Sequence, residues 1–329
     1  MRALLSVEPG IAGLRIDDHP KPEPGPGDLL VRVRAAGLNY PDMLMLEDRY
    51  QVKKERPFVP GQEMAGEVEA VGTDVTGFTP GDRVFGFAST GGLAEYALLP
   101  AAFATKMPGA MSFADGACFN GSYATGYHAL VQRARLVPGE SLLVLSAAGG
   151  TGLAMVQIGA ALGARVIAAA STQEKVDFAK AHGAERGLVY ARDMGAEESK
   201  AFGAELKALE KRGIDIVADI VGGGYAEPAI RSLAWKGRFL VIGFPAGIPK
   251  IAANLLLLKG ADAVGVFCGA FYEREPDEAR KNLEALMALY AEGRIKPHIS
   301  VSLPLDRAGE GIEMLDTRKV LGKVVVMLD

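Results

Sequence analysis

From Met1 to about Pro108, apolar and polar positions alternate over short segments: "LLVRVRAAG", "EMAGEVEAVG", "GDRVFGF" and "LAEYALLP". Alternation of period two, cut by Gly-Asp, Pro-Gly and Gly-Gly turns, predicts antiparallel strands rolled into a β-rich unit, because successive side chains of a strand face opposite sides. From about residue 122 the rhythm becomes apolar strand, turn, then helix-length segment. The predicted strands are Ser141 to Ser146, Arg165 to Ala170, Gly187 to Tyr190, Asp215 to Ile220, Arg238 to Gly243 and Ala261 to Phe267. Helical candidates between them include "LAMVQIGAALG", "TQEKVDFAKAHG" and "YAEPAIRSLAWKG". Near-continuous apolar strands joined by helices imply an α/β domain with a doubly wound parallel sheet covered on both faces. After residue 267 come two helices, "DEARKNLEALMALYAEGRIKP" and "DRAGEGIEMLDTRK", and a last strand, "GKVVVML". That strand has no further βαβ partner and is expected to return to the first sheet. The β-rich domain is therefore assigned to residues 1–121 and 261–329, with the parallel-sheet domain inserted at 122–260.

Composition narrows the class of function. A chain of 329 residues suits two domains, and 49% apolar with 23% charged residues supports full hydrophobic cores. A formal charge of −4 with both signs interspersed offers no field for a phosphate backbone, which argues against nucleic acid and for small-molecule chemistry. Cys118 and Cys268, far apart, fit a reducing compartment and exclude a four-cysteine zinc site; both read as buried small hydrophobes. The start "MRALLSV" is too short an apolar run for a signal peptide. The stretch "NLLLLKGADAVGVFCGA" carries Lys259 and Asp262 before it could span a bilayer. The expectation is a cytoplasmic protein without a membrane partner.

The segment "SAAGGTG" at 146 to 152 lies between a predicted strand and a predicted helix. A Gly-x-Gly-x-x-Gly loop in that place binds pyrophosphate, with glycines permitting close backbone approach and the helix N-terminus offering N–H groups and a positive dipole end. Ala147, Gly149 and Gly152 occupy the three motif positions, and Gly150 adds a further glycine. Taken alone, the loop also reads as a turn that needs glycine only for packing. Two other segments favour a nucleotide. At the end of the second strand, "RVIAAASTQEK" has no carboxylate in the place where an NAD site puts Asp or Glu about 20 residues past the glycines. Ser171, Thr172 and Lys175 can instead bond a 2′-phosphate, so NADPH is expected over NADH; a solvated first-turn lysine is the plainer reading of Lys175. The segment "GFPAG" at Gly243 to Gly247 ends another strand, on the side where open α/β sheets collect ligands.

Several segments together resemble the medium-chain dehydrogenase/reductase superfamily, in its zinc-independent quinone oxidoreductase (ζ-crystallin-like) branch. They are "AAGLNYPDMLM" (35–45), "PFVPGQEMAGEVEAVG" (57–72), "GDRVFGF" (81–87), "GGLAEYALLP" (91–100), "TGYHAL" (125–130), "AAGGTGLAMVQIGAALGA" (147–164) and "GRFLVIGFPAG" (237–247). The resemblance implies a GroES-like catalytic domain, an inserted Rossmann domain, a cleft between them and a homodimer. Zinc-dependent relatives place a cysteine where Asn39 stands and a histidine where Gln62 stands. An amide oxygen is a poor zinc ligand and Glu63 alone makes no site, so no zinc is expected. The histidines His19, His128, His182 and His298 show no ligand spacing and read as surface or packed residues.

By the same resemblance, Asn39 and Asp42 lie near the nicotinamide ribose or amide, and Thr125 contacts the nicotinamide end. Gly149, Gly150 and Thr151 take the pyrophosphate; Ser171, Lys175 and Tyr190 take the 2′-phosphate side; Phe244 and Phe267 take the nicotinamide side; Lys323 is proximal to the cofactor. Tyr50 is the candidate substrate-side hydroxyl and, with Asn39, the candidate catalytic pair; a packing tyrosine is its plainer reading, and a helix cap that of Asp42. The family has glycine two residues before this tyrosine, where this chain has Asp48. The expected reaction is NADPH:quinone oxidoreduction by hydride transfer from nicotinamide C4 in the interdomain cleft. Reduction of enones or enoyl thioesters is the alternative, and a non-catalytic NADPH-binding protein, like structural crystallin relatives in the lens, is the remoter one.

Overall fold

The computed structural model describes residues 1–51, 53–317 and 319–328. The chain divides into two compact units, Met1–Gly121 with Pro297–Asp329, and Ser122–Lys296.

The first unit is built around the long strand Asp28–Leu38, in which Val31 and Val33 are buried and Arg32 between them is exposed. It pairs antiparallel with Glu63–Val71, Tyr96–Pro100 and Lys323–Met327. The closing strand thus returns to the first sheet, as its lone position at the chain end predicts, and buries Val324, Val325 and Val326. One pairing departs from the antiparallel expectation: Ile299–Pro304 runs parallel to Lys323–Met327. The helix Ala308–Asp316 connects these two strands, as parallel neighbours require a crossover.

The second unit is a six-stranded parallel sheet. Its spatial order is Arg186–Val189, Arg165–Ala170, Ser141–Leu145, Ile214–Asp219, Leu233–Val241, Asp262–Gly265. The order reverses between Ser141–Leu145 and Ile214–Asp219, which makes that pair the topological switch point of a doubly wound fold. The first crossover helix, Gly150–Ala161, is apolar nearly all round because it is buried from Gly152 to Gly159.

Two expectations are corrected here. Residues 261–296 belong to the parallel-sheet unit: Asp262–Gly265 extends its sheet, and Asn282 of helix Pro276–Ala291 exchanges two hydrogen bonds with Gln132. The segment "YAEPAIRSLAWKG" is not one helix, because Ala226–Arg231 is helical and Leu233 already pairs with Ile214. Apolar spacing from Ile230 to Leu233 suits a helix, and burial of Leu233 in the sheet overrides it. No helix among the described residues is long and apolar enough to cross a membrane.

Candidate active site

The strand Ser141–Leu145 is buried along its whole length, and the chain leaves it through Ser146, whose φ is +57°. Ala147 packs with no exposed surface, so its methyl fills core at the position where the motif has glycine. Gly149 is the N-cap of helix Gly150–Ala161, and the Leu153 N–H bonds its carbonyl at 2.7 Å. A Cβ on Gly152 would lie 2.0 Å from the Ser146 carbonyl oxygen, so only glycine lets helix and strand approach this closely. The first N–H groups of a helix have no intrahelical acceptor and sit at its positive end. Here they belong to half-buried Gly150 and Thr151. A cradle of this kind suits the diphosphate of a nucleotide.

At the end of the neighbouring strand Arg165–Ala170, Ser171 and Lys175 are half-buried. Thr172 is committed elsewhere, because its Oγ1 accepts the Lys175 N–H and caps helix Gln173–Ala181. Tyr190 is 8% exposed, with its ring edge-on to Phe202 and Tyr225; the ring is part of the apolar core. The other carboxyl-end loops carry Phe244 and Phe267, which are 42% and 62% exposed. The Thr125 side chain hydrogen-bonds the Cys268 thiol, placing Thr125 beside the Phe267 turn. Cys268 is only partly buried, unlike Cys118. Among the histidines, His128 is packed, stacked 4.0 Å from Phe271.

Sequence reasoning missed Asp219. Its Oδ1 accepts the Val221 and Gly222 N–H groups, both at 2.8 Å, and burial pushes its carboxyl above the ordinary value. The turn it braces is laced to the "GFPAG" loop, with Gly223 N–H on Gly247 O at 2.7 Å and Ala246 N–H on Val221 O at 2.9 Å. Phe244 is therefore held by a carboxylate on the strand at the switch point. A lone aspartate after an apolar run gives no warning of that task.

In the first unit, Asn39 caps helix Tyr40–Leu46, and its N–H bonds Asp42 Oδ2 at 2.8 Å. The Asn39 amide is held at both ends: Nδ2 donates to Glu63 Oε2 at 2.9 Å, and Oδ1 accepts from Lys323 Nζ at 2.6 Å. The ammonium also reaches Glu63 Oε2 at 3.2 Å and Leu38 O at 3.3 Å. Glu63 Oε1 accepts the Gly121 N–H at 2.7 Å. Burial is the strongest influence on the Lys323 ammonium and lowers its pKa, but Glu63 together with Cys118 and Asp42 offsets it and holds the group above its ordinary value. All three ammonium protons have acceptors inside this unit. Lys323 thus holds Asn39 and Glu63 in place.

Asp42 is 1% exposed, and burial pushes its carboxyl up to about 7 against the opposing pull of the Asn39 N–H and Lys323. Tyr50, half-buried, is raised by burial and then by the charge of Asp42, which places the two in one electrostatic neighbourhood. Asn39, Asp42 and Lys323 lie together in this unit, and Tyr50 lies within reach of the Asp42 charge. Zinc does not fit this set. The amides of Asn39 and Gln62 are poor zinc ligands, and of the two buried carboxyl groups Glu63 is already neutralised by the Lys323 ammonium 3.2 Å away. Among the described residues, no three His, Cys, Asp or Glu side chains gather to hold a metal ion.

Comparison with known proteins identifies the family of both units. The chain matches the alcohol dehydrogenase GroES-like domain over residues 25–109 and the zinc-binding dehydrogenase domain over residues 150–288. It is 37% identical over 306 residues to the quinone oxidoreductase-like protein 2 homolog of Nematostella vectensis, covering 92% of this chain and 82% of that protein. It is 32% identical over 330 residues to prostaglandin reductase-3 of Mus musculus, covering 94% of this chain and 84% of that protein. Among solved structures, a mycobacterial protein complexed with NADPH is 29% identical, with full coverage of both chains and a TM-score of 0.91. The quinone oxidoreductase of Thermus thermophilus, solved also with NADPH, is 33% identical with full coverage and a TM-score of 0.83. The chain belongs to the medium-chain dehydrogenase/reductase superfamily, among its quinone oxidoreductase-like members.

Proposed function

We propose that the protein is an NADPH-dependent oxidoreductase that reduces quinones. The observation that carries the reading is the Lys323 ammonium seated between Asn39 and Glu63. A site neutralised in this way suits acceptors that take hydride without strong polarisation, and quinones are such acceptors. When bound, NADPH supplies the hydride from C4 of its nicotinamide. The residues of the parallel-sheet unit fit that cofactor: the glycine cradle with Gly149, Gly150 and Thr151 for the diphosphate, Ser171 and Lys175 for the 2′-phosphate, and Thr125, Phe244 and Phe267 for the nicotinamide end. The Tyr50 hydroxyl and the Asn39 cluster serve the acceptor side. Similarity to proteins solved with NADPH supports the cofactor assignment.

A second reading, reduction of activated alkenes, is favoured by Asp42 and by similarity to prostaglandin reductase-3. Hydride addition to a β-carbon requires a proton at the α-carbon, whereas a quinone product can take its protons from water. Tyr50, kept protonated by burial and by the neighbouring Asp42, is the group that would hold that proton at Oη.

The test is NADPH oxidation followed across quinones, alkenals and short enoyl thioesters, with product analysis. Turnover of quinones by both wild type and Tyr50→Phe supports the first reading; activity on enones alone, lost in Tyr50→Phe, transfers the assignment to the second. In the same assay Lys175→Ala is expected to weaken NADPH by about 10- to 100-fold, the worth of one charge-assisted contact, and to leave NADH unchanged. Equal loss for both cofactors would remove Lys175 from the 2′-phosphate site.

We further propose a homodimer formed at the open edge of the parallel sheet. Asp262–Gly265 ends the sheet, and Trp235, Leu257 and Leu258 nearby are 70%, 77% and 70% exposed, an apolar surface unusual beside an unpaired strand edge. Sedimentation velocity is expected to give a dimer that Leu257→Asp dissociates; a monomeric wild type would overturn this.

A further inference from the structure

Asp48 has φ +56°, the left-handed region that favours glycine. Its place explains why. Helix Tyr40–Leu46 ends with the Asp48 N–H on Met45 O at 3.2 Å and the Arg49 N–H on Leu44 O at 2.8 Å. This is a Schellman closure whose left-handed residue is an aspartate. The Tyr50 N–H bonds the same Leu44 carbonyl at 3.2 Å, so the tyrosine leaves the helix from this closure. Eight residues after Asp48, the Arg56 guanidinium returns to it. Nη1 contacts Asp48 Oδ1 at 2.8 Å and Oδ2 at 3.0 Å, and Nη2 donates to Leu46 O at 2.7 Å, a carbonyl at the helix end. The arginine side chain is 16% exposed and lies over the Phe58 ring.

We propose that Arg56 is a positioning residue, which clamps Asp48 in its left-handed conformation and caps the Leu46 carbonyl, and so fixes the Tyr50 loop against the helix that carries Asn39 and Asp42. The clamp does for an aspartate what glycine would do unaided. One fork satisfies both the strained residue and a helix carbonyl, a geometry a lysine cannot reproduce. The consequence for acceptor binding rests on the assignment of Tyr50 to the acceptor side; the ordering of the loop does not.

The two are separated by measuring trypsin cleavage after Arg49 and Lys53, both exposed in the loop, alongside acceptor KM and kcat. Arg56→Met is expected to raise the cleavage rate about tenfold and acceptor KM about as much, with NADPH KM unchanged. Adding Asp48→Gly to Arg56→Met is expected to bring both within about threefold of wild type, because glycine needs no partner at this φ. Arg56→Lys, the milder change, is expected to fall between and serves if Arg56→Met does not fold. Wild-type cleavage in Arg56→Met, or in Arg56→Lys where that variant stands in for it, overturns the proposal. So does a double variant no better than Arg56→Met. Restored cleavage resistance with acceptor KM unmoved throughout upholds the clamp and removes Tyr50 from the acceptor side.

Discussion

Gly152→Ala is expected to abolish useful NADPH binding, weakening it by more than about 100-fold. The added methyl would lie 2.0 Å from Ser146 O, 2.8 Å from Ser146 C and 3.1 Å from Ala147 Cα, all backbone atoms that cannot rotate away. Helix Gly150–Ala161 must then move off the strand that positions its N-terminus. Overpacking of this kind costs about 3 kcal/mol or more, which at the cofactor site is roughly two orders of magnitude in affinity. Gly149→Ala is the control. There the nearest contacts are ordinary, 3.4 and 3.5 Å to Ser146, so the fold is expected to melt as wild type does. Fluorescence titration with NADPH and thermal melting of both variants check this. A Gly152→Ala protein that binds NADPH within about threefold of wild type would sink the assignment of this loop to the diphosphate.

The second large effect is expected at Lys323. Lys323→Met removes the ammonium and leaves the fully buried Glu63 carboxylate without its cation, a loss of about 3–5 kcal/mol for a broken buried pair. Glu63→Gln added to it is expected to recover most of that, since a neutral amide oxygen can still accept the Gly121 N–H. Asn39 also loses the donor on Oδ1, so acceptor turnover should fall in both variants while NADPH affinity holds. Urea unfolding measures the first claim and steady-state kinetics the second. If Lys323→Met proves as stable as wild type, the pair does not hold this cluster together.

The fold was largely legible because its signals are local. Strand Arg165–Ala170 falls where the apolar run predicts, and the glycine cluster sits between strand and helix as expected. What failed locally was the segment around Leu233, where helical spacing and sheet pairing compete and tertiary burial decides. The site was legible only in part, since its polar partners are distant in the chain. Lys323 and Glu63 are separated by 260 positions and Asn39 and Glu63 by 24, so no window contains the network. Resemblance placed Lys323 near the cofactor, and only the geometry shows its ammonium bonded to Asn39 and Glu63. Arg56 lies only eight residues from Asp48, yet the pairing has meaning only once the backbone at Asp48 is known to be left-handed.

Gly121 carries a consequence for the redesign of this chain. A Cβ there would meet Glu63 Oε2 at 2.9 Å and Asn39 Oδ1 at 3.4 Å, so the position cannot take a side chain while that network stands. Installing a metal would require exchanging Asn39 and Gln62 for soft donors, removing the Lys323 charge and finding another ligand. Removing the Lys323 charge by itself strands the buried Glu63 carboxylate, so that route opens on a destabilising step. A redesign toward metal-assisted chemistry therefore has to exchange Glu63 and Lys323 together.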